Sequence, residues 1–494
     1  MADGSVSDAP RSPWPALWAL VIGFFMILVD VTIVSIATPA IMADLGADVD
    51  SVVWVTSGYL LSYAVPLLIT GRLGDRYGPR RVYLVGLAIF TLASLWCGFT
   101  GSIGGLIAAR VVQGIGASLM TPQTMAVINR TFPVESRGSA MGLWGATAGV
   151  ATLVGPLLGG VLVDGLGWEW IFFVNVPVGI VGLVAAWRLV PDLPTHVRRF
   201  DWAGVALSGV GMFLLVFGIQ EGQTFHWNGV VWTMIAAGAV VMGAFLLWQR
   251  RSPEPLISLD LFRDRNFSLA NVAITTVGFG ITAMAFPLTF YAQGVLGLSP
   301  TGAALLTAPM AVVSGLLAPL VGRLIDRVHP RWIAGAGMLA MPVSMFWLSA
   351  IMRPDTPIWA VLLPTILLGV ASAFVWAPLA TTATRNLPPR HAGAGAGVYN
   401  TTRQIGSVLG SAAIAVLIAA QLAANLPGVA GGGAETGVAH LPAALHAGFA
   451  TAMSHAILLP AAVLLIGFVA ATAFQLPATL AARRTAQPVD AGTR

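Results

Sequence analysis

Asp30 stands in the run "MILVDVTIV" (26–34) and Arg110 in "IAARVVQGIG" (107–116), two charges set among residues that otherwise avoid water. A charged side chain at bilayer depth costs about 2.5 to 3.5 kcal/mol even on a lenient insertion scale, so it must be paired, hydrated or functional. Counted along a helix, Asp30 lies roughly 12 Å from one end of its apolar run and Arg110 roughly 10 Å below the same surface. The two can therefore share a depth. The chemistry open to such a pair is proton exchange: a nearby guanidinium favours the carboxylate, desolvation favours the neutral acid, and a modest rearrangement swings the affinity for a proton. The plainer reading is a permanent buried ion pair that only fixes helix packing.

The elements that must hold these charges are membrane helices. With 57% hydrophobic and 9% charged residues and a mean hydropathy of +0.83, the chain of 494 residues is that of a polytopic membrane protein. Apolar runs of spanning length are read at 16–40, 52–70, 82–100, 103–128, 139–163, 168–190, 202–219, 230–248, 268–291, 300–321, 333–351, 358–380, 393–420 and 448–475. The expected architecture is all-α with 14 transmembrane helices. All 25 basic residues are arginine, and apart from Arg110, Arg353 and Arg403 they fall in the first segment, the loops after even-numbered helices and the tail. By the positive-inside rule those segments and both termini are cytoplasmic. Topology thus explains the pI near 10.0 without nucleic-acid binding. The single cysteine, Cys97, lies inside the third run and is read as a packing residue. Helix 1 has no cleavage site and is expected to stay as an anchor.

The phrase "GRLGDRYGPRR" (71–81) recurs as "GRLIDRVHPRW" (322–332), 251 positions on, with seven of eleven residues identical. Gly142, Gly155 and Gly159 fall on Gly393, Gly406 and Gly410 at the same offset. Two matches at one offset indicate duplicated halves, the parallel-repeat plan of secondary transporters. The expected organisation is a cytoplasmic segment 1–15, a six-helix half 16–200, an inserted helix pair 201–250, a second half 251–475 and a cytoplasmic tail 476–494. Arg403, deep in the second half, has no acidic residue in any helix of that half. With Asn400 and Gln404 nearby, it suggests a hydrated cavity wall or the interface between halves.

The repeated phrase resembles the signature between the second and third helices of the major facilitator superfamily, Gly-x-Leu-x-Asp-Arg-x-Gly followed by basic residues. Pro79 departs from it, and the second copy has His329 for the later glycine. "LVDVTIVSIATP" (28–39), "RVVQGIGAS" (110–118), "GATAGVATLVGPLLGG" (145–160), "WEWIFFVNVPVG" (168–179) and "NTTRQIGSVLG" (400–410) resemble the 14-helix drug:proton antiporter branch, of the EmrB and QacA type, although Glu169 stands where arginine is usual. The resemblance implies a major facilitator fold and proton-driven efflux of drugs or other amphipathic or cationic small molecules by alternating access. It also implies proton coupling at Asp30 and Arg110, and an antiporter motif at Gly145, Gly149, Gly155, Pro156, Gly159 and Gly160.

A cytoplasmic gate is expected from Gly71, Asp75, Arg76, Gly78, Arg80, Asp326 and Arg327, with Asp75 free to meet helix N-terminal amides. Candidate lining for a cavity suited to flat or cationic compounds is Tyr59, Tyr63, Gln113, Phe286, Phe290, Trp376, Asn400, Arg403 and Gln404. The expected partners are a small-molecule substrate, protons and the lipid of a bacterial cytoplasmic membrane. The protein is expected to be a monomer with no metal or cofactor, the proton gradient supplying the energy. Without lysine the chain has no phosphate loop for ATP. Its scattered histidines offer no catalytic constellation, so no enzyme is expected. The rival reading is a transporter of the same fold dedicated to one physiological substrate, such as a self-made antibiotic, a lipid or a siderophore.

Overall fold

The computed structural model describes residues 12–47, 49–133, 136–195, 201–222, 225–325, 327–388, 391–426 and 441–476. A first bundle is built from α1 (Trp14–Leu45), α2 (Val49–Ala64), α3 (Leu67–Tyr77), α4 (Pro79–Phe99), α5 (Ile103–Thr131), α6 (Arg137–Leu166), α7 (Trp170–Phe173) and α8 (Asn175–Leu189). Then come α9 (Trp202–Gln220) and α10 (Gly229–Arg251), which pack chiefly on each other. The second bundle holds α11 (Arg265–Gly294), α12 (Pro300–Leu305), α13 (Ala308–Ile325), α14 (Pro330–Ile351), α15 (Ile358–Ala373), α16 (Trp376–Thr384), α17 (Ala392–Asn425) and α18 (His446–Thr472).

Among the described residues, 12 stretches are long and apolar enough to cross a membrane. Two of the expected runs are not among them. The run 52–70 is divided between α2 and α3, which at 16 and 11 residues are each too short to span alone. The run 139–163 lies in α6, 30 residues long, where the side chains at 152, 153, 156 and 164 fall outside the described residues.

Proline accounts for the breaks that a hydropathy reading misses. Pro66, Pro177, Pro309 and Pro378 have no N–H to offer the carbonyls of Ser62, Phe173, Leu305 and Phe374, four residues earlier. The helix is interrupted in each of those turns, dividing α2 from α3, α7 from α8, α12 from α13 and α15 from α16.

The outside of the molecule is apolar: Phe99, Val161, Trp202 and Leu316 are each more than 70% exposed. Water would not favour that surface, and lipid does. The inside packs by close backbone approach. A methyl group placed on Gly155 would strike Thr32 of α1, and one on Gly406, its repeat partner, would strike the Thr275 carbonyl of α11. The duplicated glycine therefore seats each half's long helix on that half's first helix. The halves meet where α3 packs on α17 and α6 on α13. The α9–α10 pair lies at the side, where α9 touches α2 and α17 and the Phe217 ring meets Trp54 with centroids 5.6 Å apart.

Candidate functional site

Asp30 on α1 and Arg110 on α5 are both fully buried, and Arg110 Nη1 donates to Asp30 Oδ2 at 2.5 Å. The same Nη1 donates to Gln113 Oε1 at 2.6 Å, and Arg110 Nε donates to the Val55 carbonyl of α2 at 3.0 Å. Gln113 Nε2 donates to Asp30 Oδ1 at 2.9 Å and to Ser94 Oγ of α4 at 2.6 Å. Asn175 Nδ2 reaches Asp30 Oδ1 at 3.2 Å, and the break before α8 is what places that amide at the head of its helix. The carboxylate thus accepts from a guanidinium and two amides, so a buried charge is compensated on both oxygens.

Above the pair lies an aromatic bridge. The Arg110 guanidinium carbon sits 4.1 Å from the centroid of the Tyr59 ring, and Tyr59 stacks on Tyr63 at 6.2 Å. Tyr63 Oη donates to Thr121 Oγ1 at 3.2 Å and accepts from Arg403 Nη2, across the seam, at 3.4 Å. The acid of the first half and the arginine of the second are joined by this path of rings.

Between the halves lies a cavity of about 220 Å³, walled by Phe24 and Leu28 of α1, Trp144 of α6, Met310 of α13, Trp376 of α16 and Arg403 of α17. The expected lining is only partly placed there. Trp376 and Arg403 face it, whereas Tyr59, Tyr63 and Gln113 belong to the charge network. Phe286 points outward, 43% exposed, and Phe290 packs on the second-half core. Asn400 and Gln404 are buried beside Arg403 on α17 but turned from the cavity, and Asn400 Nδ2 donates to its own helix at the Ala396 carbonyl. Helical rotation accounts for Gln404, one position on from Arg403, whereas Asn400, a turn earlier on the same face, is not among the lining residues.

The repeated phrase makes contact across the halves. Gly393 N and Ala394 N each donate to the Asp75 carboxylate at 3.0 Å, so the amides it meets are those opening α17 of the other half, and not those of the helix that follows it in sequence. The reason is steric. α3 continues to Tyr77, and a methyl on Gly71 would lie 2.5 Å from the Gly393 carbonyl oxygen, so only bare backbone lets Asp75 come so close. Gly322 stands likewise against the Gly138 carbonyl of α6 at 2.7 Å, measured from an added methyl. Burial pushes the Asp75 carboxyl up from 3.8 to about 6, while the Ala394 and Gly393 amides and the Arg72 and Arg130 charges pull the other way.

Gly78, with φ of +91°, turns the chain between α3 and α4 in a conformation that favours glycine. Arg80 turns back within its own half, pairing with Asp192 at 2.6 Å and donating to the Trp187 carbonyl. Arg76 lies over the Tyr77 ring at 5.2 Å. Arg327 is exposed, and Asp326 lies outside the described residues. In α6, Gly145 and Gly149 face α16 and α13, Gly155 faces α1, Gly159 is buried and Gly160 meets open space. The side chain of Pro156 is not among those described. The glycine motif is therefore shared among three neighbours, α16 and α13 of the second half and α1 of the first.

Ser94, Asn175 and the Val55 carbonyl were not expected from sequence. The first two could have been found as uncharged polar residues in apolar runs that share the depth of Asp30.

A bundle of membrane-spanning helices in two halves, meeting across a cavity beside a buried ion pair, is the build of a transporter. The chain belongs to the Major Facilitator Superfamily, whose pattern it matches over residues 20–411. It is 56% identical to an uncharacterized MFS-type transporter of Mycobacterium tuberculosis, over 93% of this chain and 81% of that one. It is 35% identical to the tetracenomycin C resistance and export protein of Streptomyces glaucescens, over 84% of this chain and 78% of that one. In fold it is similar to the human organic anion transporter MFSD10, with a TM-score of 0.63 at 14% identity, over 92% of this chain and 100% of that one. The protein is a multi-pass membrane transporter, and its family are transporters, not enzymes.

Proposed function

We propose that this transporter is an efflux antiporter of a bacterial cytoplasmic membrane, exporting drugs or other amphipathic small molecules in exchange for protons by alternating access. It has 14 spans and both ends in the cytoplasm in this reading, α2–α3 and α6 completing the set. The observation that carries it is the buried carboxylate of Asp30, held by three side chains from two other helices, Arg110 and Gln113 of α5 and Asn175 of α8, next to the seam on which the halves rock. Asp30 takes up a proton when the Arg110 contact opens and gives it up when the contact re-forms. The latch of Asp75 on α17 holds one side shut in one of the two states. A purely structural pair would need no link to the other half, and the ring path through Tyr59 and Tyr63 to Arg403 supplies one.

The test is accumulation of a panel of dyes and antibiotics in an efflux-deficient bacterium expressing wild type or Asp30→Asn, with and without a proton uncoupler. Wild-type protein should lower accumulation until the uncoupler is added, and Asp30→Asn, equally abundant in the membrane, should not. Uncoupler-sensitive efflux by Asp30→Asn would refute the role of Asp30. The name of the Streptomyces relative, a resistance and export protein for one compound, supports a second reading in which the substrate is a single natural product. A panel with no active member, from a well-expressed protein, favours that reading.

A further inference from the structure

The wall of the cavity between the halves has an unusual balance of groups. Among the described residues, Arg403 is its one charged residue and no carboxylate lines it. None of the ion pairs among the described residues includes Arg403, whose guanidinium has the Tyr63 hydroxyl at 3.4 Å. Two of the lining residues, Trp144 and Ser372, also hold a polar atom, Nε1 and Oγ, that is buried behind the wall without a hydrogen-bond partner. The remaining surface is largely apolar and aromatic: Phe24 stacks on Trp144 at 4.5 Å and 17°, and Trp376 stands in the opposite half. Buried donors without acceptors are costly, and a half-buried guanidinium without an anion is more so. A ligand that completes this wall brings a negative or acceptor-rich group to the guanidinium, and a flat ring to the aromatic faces.

We propose that this cavity binds planar aromatic anions, with the acid group on Arg403 and the ring against Phe24, Trp144 and Trp376. A cation of the same shape meets a like charge in a site that offers it no carboxylate. The expectation of cationic compounds drawn from the aromatic residues is therefore reversed by the one charge among them. The cavity serves as the substrate site only on the export reading above, but the binding itself requires no proton gradient.

The test uses full-length protein in lipid nanodiscs and two probes that share a naphthalene ring and carry opposite charge, 2-naphthoate and 2-naphthyltrimethylammonium, measured by equilibrium dialysis. The wild type should bind the naphthoate about tenfold more tightly or better, the scale expected of one charge contact in a partly buried site. Arg403→Gln should erase that preference, Arg403→Lys should keep most of it, and Trp376→Ala should weaken both probes alike. The Lys and Ala variants keep the test decisive should Arg403→Gln not fold. A wild type that binds neither probe, binds both equally or prefers the cation overturns the proposal, as does a preference that survives in Arg403→Gln. Asp30→Asn separates this proposal from the export reading: a variant that has lost efflux but still prefers naphthoate leaves the anion site standing. A fully coupled exporter that prefers the cation removes the anion site alone.

Discussion

At the scale of the residue, what could be read from sequence was charge. Asp30 and Arg110 interrupt apolar runs and share a depth, and the structure joins them at 2.5 Å. Their uncharged partners were hidden, because a serine or asparagine in a membrane helix can as readily bond its own backbone and gives no sign of doing otherwise. Gln113 is the keystone of that set, since it accepts from Arg110 and donates to Asp30 and Ser94. Gln113→Leu should lower stability by about 1 to 3 kcal/mol, the cost of leaving buried polar partners unmet. The same change should shift the external pH at which efflux is half-maximal, where Cys97→Ala, at the weak 3.9 Å edge of the network, should not. Thermal unfolding in detergent and efflux against pH check both. An unchanged pH profile in a folded Gln113→Leu protein would show that Gln113 does not serve proton exchange.

At the scale of the element, hydropathy located the helices while proline divided them, and the division at Val174 is what aims Asn175 at Asp30. The Asp75 phrase was legible as a repeat but its partner was not, because the amides that Asp75 meets lie 318 and 319 positions away. The raised Asp75 value gives the latch a pH dependence. In the latched state the carboxyl titrates at about 6, and released into water it returns to 3.8. The latched state therefore holds the proton more tightly. The extra stability is fully present below the lower value, is lost as pH rises through about 6, and is flat above it. Spin labels at Tyr77→Cys and Arg327→Cys, in a Cys97→Ala background, should report a growing closed population between pH 7.5 and pH 5. Asp75→Asn should make that response flat, and an identical response in Asp75→Asn would remove Asp75 as its source.

At the scale of the whole molecule, the duplicated phrase revealed two halves because backbone contact between helices tolerates so few residues: Gly71 stands against Gly393 and Gly322 against Gly138. The inserted pair was legible as apolar runs only. Its seat against α2 and α17 depends on contacts such as Trp54 with Phe217 that no periodicity encodes. The cavity lining was legible in part, since a sequence shows which residues share a helix but not which way a broken or tilted helix turns them. The proposed topology predicts opposite exposure for two arginine positions. A cysteine at Arg353 should react with an impermeant maleimide in intact cells, and one at Arg327 only after permeabilisation. The reverse pattern would invert the orientation.

The halves are chemically unequal, with a buried acid in the first and an arginine without a carboxylate in the second. On the two proposals above, one anion leaving from Arg403 for each proton arriving at Asp30 would make both movements electrically inward, two elementary charges per cycle in one sense. At about 2.3 kcal/mol per charge per 100 mV, a membrane voltage of about 100 mV would then contribute roughly 4.6 kcal/mol to each turnover. Such a pump would keep working in an alkaline medium, where the pH gradient has vanished and only the voltage remains.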